Sequence, residues 1–185
     1  YNNGVLDGPD EEYYENGQVK LKQNYNNGVL DGPYEEYYEN GQVKKKIVYK
    51  NDKPEDGLYN IYHKNGQLEG EGIFKYDKPD GLTKTWYQNN QLKSETNFKN
   101  GKNEGLMKEW YENGQLSYEG TWKDGNKDGH WKIWFENGQL IAEATFKDDK
   151  INGIEKRWYE NGQLKETGSY KDGKKDGIWE EFNKK

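Results

Sequence analysis

Short aromatic and aliphatic segments alternate with polar, glycine-rich segments along the whole chain. Segments such as Leu106 to Glu112 and Leu116 to Lys123 contain about six to eight residues and are rich in aromatic and β-branched side chains. They are too short for stable helices and have the composition of strands. The polar segments between them carry turn residues. This pattern predicts a chain of β-strands joined by tight turns.

One of the polar segments, Glu-Asn-Gly-Gln with its flanking residues, recurs at a fixed spacing. Its glycine position falls at residues 17, 41, 66, 90, 114, 138 and 162, a step of 24 residues with one step of 25. A fixed period in this range is typical of repeat architectures. It predicts a single repeat array over residues 1–185, of about seven and a half units. The predicted units are 1–24, 25–49, 50–73, 74–97, 98–121, 122–145, 146–169 and the partial unit 170–185.

Each unit contains two turn signals, and we therefore expect each unit to form one β-hairpin. The Asn-Gly pair of Glu-Asn-Gly-Gln predicts a two-residue type I′ turn, which requires positive φ. The second signal is a longer loop, such as Lys123 to Gly129, whose final glycine also recurs. The fold class predicted is all-β, an elongated antiparallel meander of tandem hairpins in a single twisted sheet. About 15 strands at about 4.8 Å each would extend roughly 70 Å.

A two-residue turn at Asn113-Gly114 would place Tyr111 opposite Leu116, and Trp110 on the other face opposite Ser117. Three aromatic columns then run from unit to unit. The Tyr column, which would form an apolar seam with Val19, Val43, Leu68, Leu92, Leu116, Leu140 and Leu164, comprises Tyr14, Tyr38, Tyr87, Tyr111, Phe135 and Tyr159. The Trp column comprises Tyr13, Tyr37, Tyr62, Trp86, Trp110, Trp134, Trp158 and Phe182. The closing column, which ends each hairpin, comprises Tyr25, Tyr49, Phe74, Phe98, Trp122, Phe146 and Tyr170.

Composition narrows the classes of function. Aromatic residues make up 15% of the chain, which is more than a disordered chain carries, and they supply most of the apolar surface. The net charge of −6 argues against nucleic acid and against anionic membranes as partners, because both require a basic face. The absence of cysteine excludes disulfides and thiolate chemistry. The chain lacks an initiator Met and starts in register with the repeat, so we expect a longer parent protein.

No candidate for catalysis or metal binding stands out from the repeat. The segment from Asp124 to Gly129 is similar to the start of a calcium loop, but Phe135 occupies the position that requires a bidentate carboxylate. His63 and His130 are isolated substitutions, and we expect each to be satisfied or exposed. The recurring glutamates predict a solvated face with cross-strand Lys–Glu pairs, not acid–base chemistry; they are Glu71, Glu95, Glu119 and Glu143. We therefore predict no catalytic residue, no metal and no cofactor.

The Trp column is the one feature with a functional alternative. Structural stacking is the favoured interpretation, but aromatic side chains on both faces of a thin sheet are more than one buried face needs. Exposed aromatic patches mark interaction sites. The candidate partner-binding residues are Trp86, Trp110, Trp134 and Trp158.

The residues of this unit are recognisable as a pattern. Trp-Tyr-Glu-Asn-Gly-Gln-Leu, followed by Phe/Trp-Lys-Asp-Gly-Lys-x-Asp-Gly, resembles the MORN-repeat variant that occurs in tandem in many bacterial proteins. The resemblance covers essentially the whole chain and implies the hairpin meander. Asp52, Asp77 and Asn90 replace glycines of the pattern, which predicts distorted turns in units 50–73 and 74–97.

The function expected is that of a non-catalytic repeat scaffold that binds another protein. The resemblance implies proteins that are exported or surface-associated, and this location is favoured over the cytoplasm. It also implies two alternatives. Such proteins are labelled antitoxins of toxin–antitoxin pairs, and MORN repeats elsewhere are linked to lipid binding. The aromatic ladders of this chain add glycans to the second alternative, because aromatic side chains also stack on sugar rings.

Overall fold

The computed structural model describes residues 4–184, and residues 1–3 and 185 of the predicted array lie outside the described part. The chain divides into two compact units, Tyr1–Asn90 and Gln91–Lys185. Each unit is described by itself. The described residues contain no helix with the length and apolarity needed to cross a membrane.

The first unit is an antiparallel sheet of nine strands in which neighbours in sequence pair. Its strands are β1 (Gly8–Tyr13), β2 (Val19–Asn26), β3 (Val29–Leu30), β4 (Gly32–Tyr37), β5 (Val43–Lys50), β6 (Lys53–Pro54), β7 (Gly57–Tyr62), β8 (Leu68–Lys75) and β9 (Lys78–Trp86). β2 pairs with both β3 and β4, and β5 pairs with both β6 and β7. β3 and β4 are therefore one strand that is interrupted once, and so are β6 and β7.

The second unit is an antiparallel sheet of eight longer strands with the same sequential pairing. Its strands are β10 (Leu92–Lys99), β11 (Lys102–Trp110), β12 (Leu116–Lys123), β13 (Asn126–Trp134), β14 (Leu140–Lys147), β15 (Lys150–Trp158), β16 (Leu164–Lys171) and β17 (Lys174–Glu181). With the interrupted strands counted once, the described residues form seven strands in the first unit and eight in the second. The prediction of an all-β meander of tandem hairpins is confirmed within each unit.

The Glu-Asn-Gly-Gln turn differs from the prediction. The Tyr111 N–H donates to the Gln115 carbonyl at 2.8 Å, and the Gly114 N–H donates to the Tyr111 carbonyl at 2.9 Å. Gly114 has φ of +84°, whereas Asn113 is not among the described residues with positive φ. This is a three-residue loop with a type I turn and a glycine in the left-handed region. The type I′ prediction at this turn is wrong.

The two-residue type I′ turn lies in the segment that the sequence predicts to be a longer loop. Lys123 pairs with Asn126, and only Asp124 (φ 51°) and Gly125 (φ 88°) lie between them. The expectation of distorted turns in the middle units is also wrong. Asp52, Asp77 and Asn90 adopt φ of 62°, 61° and 66°, so each reaches the left-handed region that glycine occupies elsewhere.

The three-residue loop shifts the register near the end of the hairpins whose pairing is described within each unit. Trp110 pairs with Leu116 and Glu109 pairs with Tyr118, so Ser117 is the extra residue of a bulge. The predicted pairing of Tyr111 with Leu116, and of Trp110 with Ser117, is wrong. The reason is that a loop of three residues replaces one of two.

The most buried side chains lie in a row that is not one of the three predicted aromatic columns. In the second unit this core row crosses the sheet through Gly120, Trp131, Ala144, Glu155 and Gly168, each paired with the next. Trp131 is 3% exposed, Ala144 6% and Glu155 5%. In the first unit the equivalent pairs are Tyr34 with Ile47 and Tyr59 with Gly72.

Candidate functional site

One face of the second sheet carries the core row together with the closing column, and we call it the aromatic face. The Trp131 ring centroid lies 5.2 Å from that of Trp122, 5.6 Å from Phe146 and 4.8 Å from Tyr118, all in edge-on arrangements. Edge-on packing is a preferred geometry for aromatic rings. Burial raises the pKa of the Tyr118 hydroxyl, and the negative charge of Glu109 raises it further. The closing column therefore packs on the core row.

Glycine makes room for the large rings of this face. A Cβ added to Gly120 would lie under 3.0 Å from Cδ2 of Trp131, and one added to Gly168 would lie under 3.0 Å from Cδ2 of Trp179. In the first unit, the rings of Tyr59 and Phe74 stack at 5.0 Å beside Gly72. The packing of a large aromatic ring against a glycine thus recurs in both units.

Four tyrosines of the Tyr column link their hairpin to the following one through a side-chain hydrogen bond, which we call the tyrosine latch. The Tyr111 hydroxyl donates to the Trp134 carbonyl at 2.6 Å, and the Tyr159 hydroxyl donates to the Phe182 carbonyl at 2.9 Å. Tyr14 and Tyr38 make the same bond to the carbonyls of Tyr37 and Tyr62.

His63 occupies a Tyr column position and performs the same function. Nε2 of His63 lies 2.8 Å from the Trp86 carbonyl oxygen, so the imidazole donates there in its Nε2–H form. The expectation of a satisfied histidine is confirmed for His63. His130 is exposed, and its Nε2 lies 3.6 Å from the Glu143 carboxylate.

The four candidate tryptophans are all half-buried, and within the second unit they occupy successive hairpins. Trp110, Trp134 and Trp158 pair with Leu116, Leu140 and Leu164. In the first unit the carbonyl of Trp86 accepts the His63 bond.

Trp158 also lies beside a cavity. The Trp158 side chain borders a cavity of about 640 Å³ that Phe135, Arg157 and Tyr159 also line. These positions leave part of each indole accessible, and partner binding by the four tryptophans remains a prediction.

The opposite face of each sheet carries a row of alternating charges, and we call it the ladder face. In the second unit, Lys108 lies 3.1 Å from Glu119, and Lys156 lies 3.4 Å from Glu143. In the first unit, Lys46 lies 2.8 Å from Glu35, and Lys22 lies 3.2 Å from Glu11. The prediction of cross-strand Lys–Glu pairs is confirmed at these positions. Because the signs alternate, the row has little net charge.

Aliphatic side chains stand beside this charged row. Leu58 and Ile73 are directly paired across β7 and β8, and they are 60% and 41% exposed. Successive residues of a strand face opposite sides, so this pair lies on the face opposite Tyr59 and Gly72. Val48 is also exposed and borders, with Leu58, a cavity of about 370 Å³. Sequence reasoning missed this pair because leucine and isoleucine in a strand usually indicate a core position.

A buried glutamate pairs with an exposed arginine where the core row contains an acidic residue. The Glu155 Oε1 atom accepts from Nε and Nη2 of Arg157 at 3.1 and 2.9 Å, and Nη1 of Arg157 donates to Glu166 at 3.1 Å. Arg157 is the only arginine of the chain. Burial raises the pKa of the Tyr170 hydroxyl, and the charge of the Glu155 carboxylate raises it further. The combination of Glu155 and Arg157 thus occurs in one repeat unit, and the sequences of the other units lack it.

The calcium-like segment has ordinary partners in the structure. The Asp128 carboxylate lies 2.7 Å from Nζ of Lys147, whose hydrogen bond holds the pKa of Asp128 below its usual value. The Asp124 N–H donates to the Glu104 carboxylate at 2.8 Å. Within residues 4–184, no group of three or more His, Cys, Asp or Glu side chains is placed to hold a metal ion.

The geometry defines a tandem β-hairpin repeat protein, in which latches and turns repeat at intervals of about one unit. The family model of the MORN repeat variant matches seven successive segments, 6–27, 30–51, 55–76, 79–100, 103–124, 127–148 and 151–172. The matches cover most of the chain, and the chain belongs to this family. A comparison with curated proteins finds no match.

Proposed function

We propose that this chain is a non-catalytic MORN-repeat scaffold that binds another protein. The observation that carries the proposal is the exposure of paired aliphatic side chains on the ladder face of the first unit. Leu58 is 60% exposed and Ile73 41% exposed, and both belong to regular strands rather than to loops. Exposed apolar side chains that lie together mark interaction surfaces.

The charged row beside this pair supports a protein as the partner. Lys46 and Glu35 alternate across the strands near Leu58, so the surface offers both signs of charge at close spacing. A surface of this kind favours a partner with apolar side chains and its own mixed charges. It gives no advantage to a polyanion such as nucleic acid.

The Trp column is a second candidate for protein binding, taken separately in each unit. Trp86 in the first unit and Trp110, Trp134 and Trp158 in the second unit are half-buried. Rigid aromatic side chains are the residues that contribute most at protein interfaces.

The scaffold proposal also rests on the repetition of the charged side chains. The Lys–Glu pairs occur in both units, whereas a catalytic centre is built once. The seven matched segments are copies of one repeat. We therefore assign the repeated carboxylates to the ladder and not to chemistry.

The test uses a substitution that the array already contains. Leu58→His with Ile73→Thr copies the His130–Thr145 pair, which occupies the same place three repeat units further along the sequence. Cross-linking capture from the source organism, with the chain and this variant compared, should show partners whose recovery falls at least about tenfold in the variant. Ile154→His with Ser169→Thr makes the same change in the second unit and should leave recovery unchanged.

A separate arm tests the tryptophans. A variant with Trp110, Trp134 and Trp158 changed to Ala should lose the captured partners while circular dichroism shows that the sheet is retained. Equal recovery by the Leu58/Ile73 variant, by the tryptophan variant and by the unaltered chain would refute the proposal.

A further inference from the structure

We propose that Tyr118, Trp131 and Phe146 form an aromatic cage that binds a quaternary or methylated ammonium group, in exchange with the Lys127 side chain and beside the Glu155 carboxylate. The site lies within the second unit. It is a small-molecule or side-chain site, and it does not depend on the protein-binding surface proposed above.

The cage is built from three adjacent strands. The Trp131 ring lies at its centre, 4.8 Å from the Tyr118 ring and 5.6 Å from the Phe146 ring, with both neighbours tilted against it. Trp131 is 3% exposed, so its position is set by packing before any ligand arrives. Rings held at angles to one another surround a cation with several negative π faces.

An ammonium group already occupies this environment. Nζ of Lys127 lies 4.4 Å from the centroid of Trp131, 5.3 Å from Phe146 and 6.0 Å from Tyr118. These distances are within the range, up to about 6 Å, over which a ring attracts a cation. Lys127 therefore acts as an internal ligand, and its flexible side chain leaves the cage open to exchange.

The same rings border a small pocket that is open to solvent on one side. A cavity of about 90 Å³ is lined by Tyr118, Trp131 and Phe146 together with Lys127 and Glu155. A water molecule has about 30 Å³ in the liquid, so the cavity holds a group of roughly three or four non-hydrogen atoms. A trimethylammonium head is of this size.

The Glu155 carboxylate supplies an unused negative atom at this cavity. The Glu155 side chain is 95% buried, because its residue is 5% exposed, and Oε1 is bound by Arg157. Oε2 has no partner of normal hydrogen-bond geometry in the described part of the chain, although the Tyr170 hydroxyl lies beside the carboxylate, and burial, the Glu155 charge and a hydrogen bond to Glu155 together raise the pKa of Tyr170. A quaternary ammonium is attracted by a nearby negative charge but has no N–H group to donate. The Glu155 Oε2 atom can supply that charge without forming a directed hydrogen bond.

Residue identity restricts the three-ring arrangement within the array, although Lys175, two units after Lys127, lies over Trp179 with Nζ 3.7 Å from the ring centroid. Glu166 stands there at the position of Tyr118, so that contact lacks one of the three rings. At the positions equivalent to Lys127 in the adjacent hairpins stand Asn103 and Ile151, which pair with Phe98 and Phe146. Lys45 makes a simpler contact in the first unit, with Nζ 5.0 Å from the centroid of Tyr34, and it lines a different cavity. Lys45 therefore offers a matched control.

The experiment titrates the chain with choline and with its neutral isostere 3,3-dimethyl-1-butanol, and follows the Trp131 indole N–H signal by NMR. Lys127→Ala should bind choline about tenfold more tightly than the unaltered chain, because the internal competitor is gone. Lys127→Asn, which copies Asn103, should show the same gain and guards against a folding defect of the alanine variant. Lys45→Ala should bind as the unaltered chain does.

The charge requirement is tested in the same titration. Adding Glu155→Gln to Lys127→Ala should weaken choline binding about tenfold, and the neutral isostere should bind about tenfold more weakly than choline. The proposal is overturned if neither Lys127 variant gains affinity, if Lys45→Ala gains as much, or if the isostere binds as well as choline.

Discussion

The hydroxyl of Tyr111 donates a hydrogen bond to the carbonyl oxygen of Trp134, 2.6 Å away and 23 residues further along the chain. The bond joins the turn of one hairpin to the end of a strand in the next. Trp134 is the last residue of β13, next to the register shift of its hairpin, and the bond gives its carbonyl a partner from the preceding hairpin. Tyr159 and Phe182 repeat the relationship at 2.9 Å.

Removing the Tyr111 hydroxyl should therefore destabilise the second unit. Tyr111→Phe loses the latch and should lower the free energy of unfolding by about 1 kcal/mol, the usual contribution of one such bond. Urea denaturation followed by tryptophan fluorescence measures the change. The reciprocal substitution is a control in the opposite direction. Phe135 occupies the same column and, with Trp158, lines one cavity, so Phe135→Tyr should gain up to about 1 kcal/mol. A loss of stability in Phe135→Tyr would contradict the role given to the latch.

Gly120 should be intolerant of even one additional methyl group. Its Cβ would lie under 3.0 Å from ring atoms of Trp131, and Trp131 is buried on all sides. Gly120→Ala should cost about 1–3 kcal/mol, as over-packing of a filled core does. Gly168→Ala meets Trp179 in the same way, but Trp179 is only half-buried and can move. Thermal unfolding should show the smaller shift for Gly168→Ala; equal shifts would mean that the burial of Trp131 is not what restricts Gly120.

Tyr76 lies in an unfavourable backbone conformation that another residue would relieve. Its φ is 49° at the first position of a type I′ turn, and its side chain is 83% exposed, so no packing compensates for the conformation. Asn51 and Asn100 occupy the same position in sister turns with φ of 50° and 51°. Tyr76→Asn should stabilise the first unit by about 0.5–1 kcal/mol, since asparagine enters this region more readily. Chemical denaturation compares Tyr76→Asn with the unaltered chain. A lower denaturation midpoint for Tyr76→Asn would show that the backbone at Tyr76 is not strained.

Stability should fall at alkaline pH through Tyr118. Burial raises the pKa of its hydroxyl in the folded chain above the ordinary value of 10.0. The stabilising contribution is complete below the unfolded pKa and is lost as the pH rises through it toward the folded pKa, because only the unfolded chain then releases the proton readily. Tyr118→Phe removes this dependence. The difference in melting temperature between Tyr118→Phe and the unaltered chain should grow in favour of the variant from pH 9 to pH 11; a constant difference would show that Tyr118 ionises alike in both states.

The strands, the hairpins and the family can be predicted from the sequence because the repeat supplies the same evidence seven times. Turn geometry could not be predicted from residue type alone. Asn-Gly fits a type I′ turn and also a type I turn followed by a left-handed glycine, and the choice depends on strand pairing on both sides. Asp124-Gly125 adopts the first geometry and Asn113-Gly114 the second.

The core row escaped prediction for a different physical reason. Its members share a place in the sheet but not a residue type, since Gly120, Ala144 and Glu155 stand beside Trp131. A large ring fills the space above two neighbouring strands, so the neighbours are selected to be small and not to be alike. A search for columns of similar residues finds the Trp column and overlooks this row. Complementary volumes in paired positions are the signal that would have shown it.

The tyrosine latch also affects which insertions and deletions the repeat array can accept during evolution. Loss of residues 15–38 would place Tyr14 directly before Glu39, with the turn motif intact. Tyr14 would then stand where Tyr38 stood, and its hydroxyl would meet the carbonyl of Tyr62 that Tyr38 now contacts. Recombination that removes or adds whole units therefore conserves the donor and the acceptor at the junction. A single extra residue in the second loop of a unit is also accepted, since Tyr38 reaches the Tyr62 carbonyl over 24 residues where Tyr14 reaches the Tyr37 carbonyl over 23.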